Sequence, residues 1–284
     1  MTKPFRWSIA RREQLGSLAS ALSKPPHAEF LEELRATTAR VLAVADNADL
    51  AFIGRTPENF YDYLSGVFAD AETAPRLHLV QFSLRWIGRG DTTTLSRENV
   101  AALRDYFEDE GVDPAAIATG GRPLALVDMI QYGGTMQNFV NILHLIAREQ
   151  RADWAAVQRQ LKVIGLRART KNSPNTWRWQ QHQDWLDLIP DTDIKNVSAS
   201  EGFIGTITGF QAKVTTSFHA DRWREPEAHA RPPTNEQREA IAHAAFLYDL
   251  GRSREERHAL ASLIAETQQM RQPATRALVL NLRR

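Results

Sequence analysis

One segment of the sequence combines residue types that bind sugar phosphates. Residues 124–135 run from an apolar stretch through Asp128 into a turn of glycine and threonine at a predicted helix start. At the carboxyl end of a parallel strand, Asp128 would face the ligand crevice of an α/β sheet and accept hydrogen bonds from vicinal hydroxyls. Gly133 and Gly134 would let backbone N–H groups approach an anion, Thr135 adds a hydroxyl, and the helix dipole favours negative charge. The segment therefore predicts a site for a pentose phosphate.

Other common catalytic signatures are absent from the sequence. The Walker A pattern does not occur, nor does G-x-G-x-x-G between a strand and a helix, nor His-Glu-x-x-His, nor the Gly-x-Ser-x-Gly elbow. The chain has no cysteine, which excludes disulfides, thiolate catalysis, zinc fingers and iron–sulfur clusters. The 35 basic and 34 acidic residues leave a net charge of +1, so total charge gives no argument for nucleic acid binding.

Strands and helices alternate around this segment. Apolar runs predict four strands, at 50–53, 77–82, 124–127 and 161–166. Helical spacing of apolar residues predicts helices at 57–68, 97–110, 139–146 and 154–161. Thr56 is expected to cap the first of these helices, with Pro57 at its first position. Such alternation predicts an α/β fold in which helices flank a parallel sheet.

The composition and the ends of the chain complete the expected organisation. With 43% hydrophobic and 24% charged residues, the chain is expected to fold. We expect helical N-terminal residues 1–46, an α/β core at 47–198, and a β-like segment followed by a helical extension at 199–284. The elements predicted in the two outer parts are helices at 9–22 and 27–45, a β-like segment at 203–218, and helices at 235–250 and 253–270.

The predicted location follows from two absences in the sequence. No stretch approaches the roughly 20 apolar residues that a membrane span needs. The first residues also lack the apolar region of a secretory signal. We therefore expect a cytoplasmic protein with no membrane partner.

Residues 124–135 resemble the phosphoribosyl diphosphate (PRPP)-binding motif of type I phosphoribosyltransferases. That motif has an apolar strand, two adjacent acidic residues, a short spacer and Thr-Gly-Gly-Thr or a near variant. The resemblance covers about residues 48–198, and it implies a phosphoribosyltransferase-like α/β fold. Aligning the turn with that of hypoxanthine-guanine phosphoribosyltransferases places Asp128 on the second acid, which in the family binds the ribose hydroxyls. It also implies Mg²⁺ as cofactor, with Asp128 as a metal ligand.

The resemblance extends to the loops that follow the other strands. Gly54, Arg55 and Thr56 occupy the place of the pyrophosphate loop. Residues 88–94 fall where the family has its flexible closing loop, so that Arg85 or Arg89 would join Arg55 in neutralising pyrophosphate.

The resemblance also suggests a site for the acceptor. Residues 166–171 occupy the strand and basic residue near the base pocket, which makes Lys171 a candidate contact, and residues 189–191 resemble the hood over the base. Trp177 and Trp185 could form a hood wall on which a flat acceptor stacks, while packing against the sheet is the other interpretation.

Two residues depart from the family pattern. Val127 stands where the first acid is expected, which weakens the case for magnesium-assisted chemistry. Gln131 replaces the aspartate that is the proposed proton acceptor of the purine enzymes, which argues against ordinary purine salvage. The candidate catalytic residues are Asp128, Arg55 and Gln131. The candidate substrate-binding residues are Gly54, Thr56, Arg85, Arg89, Tyr132, Gly133, Gly134, Thr135, Lys171, Trp177 and Trp185.

Three functional hypotheses remain at this point. The first is a pentosyl glycosyltransferase of nucleotide metabolism that moves a phosphoribosyl group from PRPP to a specialised small-molecule acceptor. The second is a regulatory protein that binds PRPP or a nucleotide without catalysis, which Val127 and Gln131 favour. The third is RNA binding by residues 151–182, where seven basic residues face only Asp153, although the near-neutral total charge argues against it. The sequence leaves homodimerisation open.

Overall fold

A five-stranded parallel sheet forms the centre of the fold. The computed structural model describes residues 6–20, 24–71, 73–83, 95–169, 184–190, 193–215 and 233–284. The strands are β1 (Asp49–Ile53), β2 (Leu77–Val80), β3 (Leu124–Met129), β4 (Leu161–Ala168) and β5 (Ile194–Ala199). Their order is β2-β1-β3-β4-β5, a doubly wound arrangement with its switch point between β1 and β3. The predicted α/β fold with a parallel sheet is confirmed.

Helices cover both faces of this sheet. The helices are α1 (Arg12–Leu15), α2 (Ala28–Ala45), α3 (Glu58–Val67), α4 (Arg97–Glu110), α5 (Pro114–Thr119), α6 (Gly134–Gln150), α7 (Trp154–Gln160), α8 (Glu201–Gly205), α9 (Asn235–Arg252), α10 (Arg254–Ala265) and α11 (Pro273–Leu282). One core joins α2, α3 and α8–α11 to the face that carries Phe52 and Val127. The other joins α4–α7 to the face of Ile53 and Leu126. None of the helices in the described ranges is both long enough and apolar enough to cross a membrane.

Capping residues explain where several helices begin. The Ser96 hydroxyl accepts the N–H of Asn99 at the start of α4. Asp113 accepts two backbone N–H groups at the start of α5. Thr234 and Gln237 form a capping box before α9. Both α4 and α9 begin at the predicted residues.

Several segments differ from the predictions. The strand β5 was not predicted, nor were α5 and α11. The predicted β-like segment at 203–218 is wrong over its first part, because α8 and a π-helical turn (Thr206–Phe210) occupy residues 201–210. The reason is local: the Ser200 hydroxyl caps the N–H of Phe203, and Phe203 and Ile207, four residues apart, are buried together. The predicted helix at 9–22 is α1 followed by a 3-10 turn (Gly16–Ser20).

Two glycines allow α3 and α9 to approach closely. A Cβ atom at Gly66 would collide with the carbonyl oxygen of Tyr248, and one at Gly251 would collide with the carbonyl oxygen of Tyr63. Because both neighbours are backbone atoms, neither can turn aside without moving a helix. The contact therefore holds α3, which follows β1, firmly against α9.

We expect Gly66→Ala and Gly251→Ala each to lower the free energy of unfolding by about 3 kcal/mol, since the added methyl group overpacks a backbone contact. Urea denaturation measures the effect. The control is Gly202→Ala in α8, where an added Cβ meets no atom within 4 Å. Equal stability of all three variants would show that the helices do not meet in this way.

Candidate functional site

The carboxyl ends of β1 and β3 lie side by side at the switch point of the sheet. Phe52 pairs with Val127, the residue that precedes Asp128. Beyond this pair, residues 54–57 lead to α3 on one face and residues 130–133 lead to α6 on the other. Open α/β sheets bind their ligands at such a point. The two turns and Asp128 therefore form the candidate site.

Asp128 is a buried carboxyl at this edge, with 6% of its surface exposed. Its Oδ1 accepts the backbone N–H of Met129 at 2.7 Å. Burial raises the pKa of Asp128 well above its ordinary value, and the Met129 hydrogen bond offsets only part of this shift. Burial therefore favours the protonated form of this carboxyl over its charged form. In the protonated form it can donate through its O–H as well as accept.

The turn after β3 ends in a helix N-terminus that no side chain caps. Gly133 is the N-cap residue, with a φ of +80° that favours glycine, and its carbonyl accepts the N–H of Gln137 at 2.8 Å. Tyr132 and Thr135 are exposed beside it. The first N–H groups of a 17-residue helix carry partial positive charge and bind anions. Residues 124–135 thus have the strand, turn and helix that their sequence predicts.

The turn after β1 is fixed by backbone contacts. The N–H of Gly54 donates to the carbonyl of Val80 at 2.8 Å, and Gly54 has a φ of +76°. A Cβ atom at this position would lie 3.2 Å from the carbonyl oxygen of Phe82, so a side chain fits poorly. Arg55 Nη1 donates to the carbonyl of Thr215 at 3.1 Å. The guanidinium of Arg55 is thereby held at this edge of the sheet.

The predicted cap of α3 is wrong by one residue. Pro57, not Thr56, is the N-cap residue, and no side chain caps the helix, which begins at Glu58. The N–H of Glu58 donates to the carbonyl of Arg55 at 3.4 Å. Because of this turn, α3 begins one residue later than predicted, and the half-buried Thr56 stays in the loop.

Residues 211–215 pack over the start of α3 through side-chain amides and hydroxyls. The amides of Asn59 and Gln211 exchange two hydrogen bonds, at 2.5 and 3.0 Å. The hydroxyl of Thr215 donates to Gln81 Oε1 at 3.2 Å. No local pattern in the sequence marks these contacts, because they join residues more than 130 positions apart.

Four charged side chains, Arg6, Glu58, Asp62 and Lys213, form a buried ionic cluster at the start of α3. Arg6 donates to both carboxylate oxygens of Asp62, at 2.8 and 2.7 Å. Arg6 and Lys213 each lie 3.9 Å from a carboxylate oxygen of Glu58. Burial raises the pKa of Glu58 to about 7, although both cations lower it. A carboxyl of this pKa is half protonated near neutral pH, which is typical of acid–base residues.

Sequence reasoning missed this cluster. Glu58 and Asp62 are four residues apart, so they share one face of α3, and apolar residues surround them in the sequence. The sequence therefore held one indication of a buried charged site, namely two acidic residues on the face of α3 that otherwise packs against the sheet. Their cationic partners come from distant parts of the chain and could not be assigned.

Arg167 on β4 is a second buried charge that the predictions did not assign to the site. It exposes 3% of its surface. Its Nε and Nη1 atoms have no hydrogen-bond partner among the described residues. Gly165, two positions earlier, pairs with Asp128 on β3. Because side chains alternate along a strand, Arg167 and Asp128 lie on the same face of the sheet.

The structure brings one group of the predicted site residues to a common edge. These residues lie on the two turns, at the end of β3 or in the first turn of α6, and they are Gly54, Arg55, Thr56, Asp128, Gln131, Tyr132, Gly133, Gly134 and Thr135. Four others, Arg85, Arg89, Lys171 and Trp177, lie outside the described residues. Trp185 belongs to a 3-10 turn (Asp184–Leu188), with its side chain outside the described part. Val127, in the place of the family's first acid, is fully buried on the opposite face from Asp128.

A cavity of about 400 Å³ lies at the opposite edge of the sheet. The end of α3, the loop before β2 and α11 line it, through residues such as Phe68, Ala74 and Leu278. Helix α3 runs back from the carboxyl edge, so this cavity lies near the amino ends of the strands. It is therefore not part of the candidate site.

Comparison with known proteins assigns no family. The chain matches no protein-family model, no curated protein and no solved structure. A parallel sheet of this kind supports many unrelated activities. Function therefore has to be argued from the residues at the carboxyl edge.

We expect the stability of the chain to fall as the pH rises from about 4.5 to about 7, with Glu58 responsible for part of the fall. The pKa of Glu58 is about 7 in the folded chain and 4.5 ordinarily, so the folded state binds more protons between these values. The stabilising contribution is present below pH 4.5 and is lost as the pH rises through 7. Glu58→Gln should flatten the slope by up to about 1.4 kcal/mol per pH unit.

Urea denaturation at several pH values measures this slope. The matched control is Glu32→Gln on the exposed side of α2, which should follow the wild-type curve. An unchanged slope in Glu58→Gln would show that Glu58 does not titrate in this range.

Proposed function

We propose that the chain binds PRPP at the switch point between β1 and β3 and transfers its phosphoribosyl group to an acceptor, with release of pyrophosphate. One observation carries the proposal. A buried carboxyl, Asp128, ends the strand that leads through a glycine turn into an uncapped helix N-terminus. A vicinal diol and a phosphate are the ligand groups that suit these two features together.

The phosphate would be bound by backbone groups. Gly133 has no side chain to obstruct an approaching anion, and α6 begins directly after it. The N–H groups of Gly134 and Thr135 lie in the first turn, where the helix dipole attracts negative charge. The exposed hydroxyl of Thr135 would add one more donor.

Asp128 would orient the ribose. Its Oδ1 is already bonded to the N–H of Met129, so the other oxygen is the one offered to a hydroxyl group. In the free chain, burial raises the pKa of Asp128 and so favours its protonated form. Binding of a sugar next to a cation would favour the charged form, which accepts two hydroxyl hydrogen bonds more strongly.

Arg55 would neutralise the departing pyrophosphate. It lies on the turn after β1, beside the strand that carries Asp128. Its planar fork suits phosphate oxygens, and its contact with the Thr215 carbonyl fixes one end of that fork. The guanidinium of Arg55 would then stabilise the negative charge that develops on pyrophosphate as it leaves.

Magnesium fits this site only with the help of the substrate. Among the described residues, no three His, Asp or Glu side chains lie close enough to hold a metal ion. Asp128 provides one carboxylate, and Mg²⁺ commonly takes one or two carboxylates together with substrate phosphates and water. A bound ion would supply charge neutralisation at the pyrophosphate oxygens, while Asp128 and Arg55 hold the sugar and the leaving group.

The same geometry supports a second function, binding of PRPP or a nucleotide without catalysis. Two observations favour it. Val127 points into the core on the opposite face, so the site has one carboxylate where the family has two. Gln131 lies exposed in the turn, and an amide cannot accept a proton as a carboxylate does. Release of pyrophosphate in the presence of an acceptor separates the two functions.

Asp128→Asn should weaken binding of ribose 5-phosphate with Mg²⁺ by about 10-fold or more, because an amide accepts hydroxyl hydrogen bonds less strongly than a carboxylate. The melting temperature should change little, since asparagine can still accept the N–H of Met129. Calorimetry and thermal unfolding measure the two quantities. Asp109→Asn, on the exposed face of α4, is the control, and equal binding by both variants would count against the ribose site.

Arg55→Ala should reduce the rise in melting temperature that pyrophosphate produces by at least about half, because one of the ligand's charge-assisted hydrogen bonds is lost. The control is Arg122→Ala, which removes an arginine that also donates to backbone carbonyls, those of Thr73 and Ala74, at the opposite edge. If pyrophosphate stabilises both variants equally, the turn after β1 is not its site.

A further inference from the structure

Arg167 carries a buried charge that no described residue compensates. Only 3% of its surface is exposed, and both Nε and Nη1 are without a hydrogen-bond partner in the described ranges. Among the described residues, no acid offsets the cost of its burial, and desolvation lowers its pKa. Arginine remains protonated in proteins. The side chain therefore places a permanent positive charge in the protein interior that no described acid pairs with.

Such an arrangement costs free energy in the free chain. Buried arginines are normally paired with a carboxylate or hydrogen-bonded throughout. Even the half-buried Arg35 is paired in this way, since it donates to both carboxylate oxygens of Glu256, at 2.6 and 2.7 Å. The nearby Arg169 is 61% exposed and pairs with Glu33. Of these three, Arg167 alone has no anionic partner in the described part of the chain, which indicates that the anion comes from a ligand.

Arg167 lies at the same edge of the sheet as the candidate site. Arg167 is the penultimate residue of β4, so it lies at the carboxyl edge of the sheet. Asp128 pairs with Gly165 on the neighbouring strand, and both Asp128 and Arg167 face the layer of α4–α7. Gly165 has no side chain of its own, and the buried side chain of Ile130 lies over it on this face. A ligand held by Asp128 and the turn before α6 would therefore reach Arg167 along the carboxyl edge of the sheet, past Ile130.

We infer that Arg167 binds an oxyanion, a carboxylate or a phosphate, of a ligand in the cleft beside Asp128. The guanidinium fork binds either group through two parallel N–H···O hydrogen bonds. On this basis the acceptor of the transfer reaction carries a negative charge. The assignment of the oxyanion to the acceptor rests on the proposed function, whereas the oxyanion site itself does not.

Side-chain NMR of the full chain tests the site directly. The Nε–H resonance of Arg167 is assigned by its loss in Arg167→Gln, and wild-type protein is then titrated with sodium acetate and with inorganic phosphate. We expect a saturable shift with at least one of them and none with sodium chloride at equal ionic strength. Arg169→Gln, which removes the exposed arginine, should behave as the wild type. No saturable shift with either oxyanion would overturn the inference.

A second titration, in saturating ribose 5-phosphate, separates the two sources of the oxyanion. A shift that persists assigns Arg167 to the acceptor, and a shift that is abolished assigns it to the phosphate of the sugar. Failure of ribose 5-phosphate to bind wild-type protein, with the Arg167 shift intact, would defeat the proposed function and leave the oxyanion site standing.

Stability gives an independent result. If Arg167 exists for a ligand, Arg167→Met should raise the melting temperature of the free chain by about 2–4 °C, because it removes an unpaired buried charge. A purely structural arginine would give the opposite sign. A melting temperature below that of Arg169→Met would therefore contradict the inference, whatever the NMR titration shows.

Discussion

The parallel pairing of β1 with β3 is the constraint on which the rest of the structure depends. From β1 the chain passes through α3 to β2 on one side, and then returns across β1 to place β3 on the other. The turns that follow β1 and β3 consequently diverge to opposite faces of the sheet and leave a crevice between them. Phe52 is buried in one core and Ile53 in the other. This fixes the register of β1 against its neighbouring strands, because a slip of one residue would move every side chain of β1 to the opposite face of the sheet.

The charged residues near this crevice contrast with those elsewhere in the fold. Glu256 is also buried, but it accepts hydrogen bonds from Arg35 and from the hydroxyl of Tyr63. Asp128 has one backbone donor, and Arg167 has two nitrogen atoms without partners among the described residues. The neighbours of Glu256 in the fold thus compensate its burial. Asp128 and Arg167 have less compensation among the described residues, which the proposed ligand site would explain, because binding sites commonly give up stability for function.

The sequence predicted those features that depend on local pattern. Apolar runs identified four strands, and the segment around Asp128 and Gly133 has its expected strand, turn and helix. The strand β5 was missed because it lies at the edge of the sheet, where Lys195 and Asn196 are exposed and the apolar run is broken. The β-branched residues of 206–208 favoured a strand, but burial of Phe203 and Ile207 at helical spacing outweighed that preference.

Features that join distant residues could not be predicted. The pairing of Arg6 with Asp62 spans 56 positions and that of Asn59 with Gln211 spans 152, and no local pattern marks either partner. The perturbed ionisation of Glu58 follows from these tertiary contacts rather than from its neighbours in sequence. Arg167 belongs to a basic stretch of the sequence, yet its burial depends on the pairing of β4 with β3 and β5 on either side, which no local pattern shows.

The division of helices between the two faces has a consequence for biosynthesis. The face that carries Phe52 and Val127 is covered by α2 and by α9–α11, which include residues 235–282. During translation the five strands are synthesised before residues 235–282. Part of this apolar face therefore stays uncovered on the nascent polypeptide until α9–α11 have been made, and over this interval a holdase chaperone would protect it from aggregation.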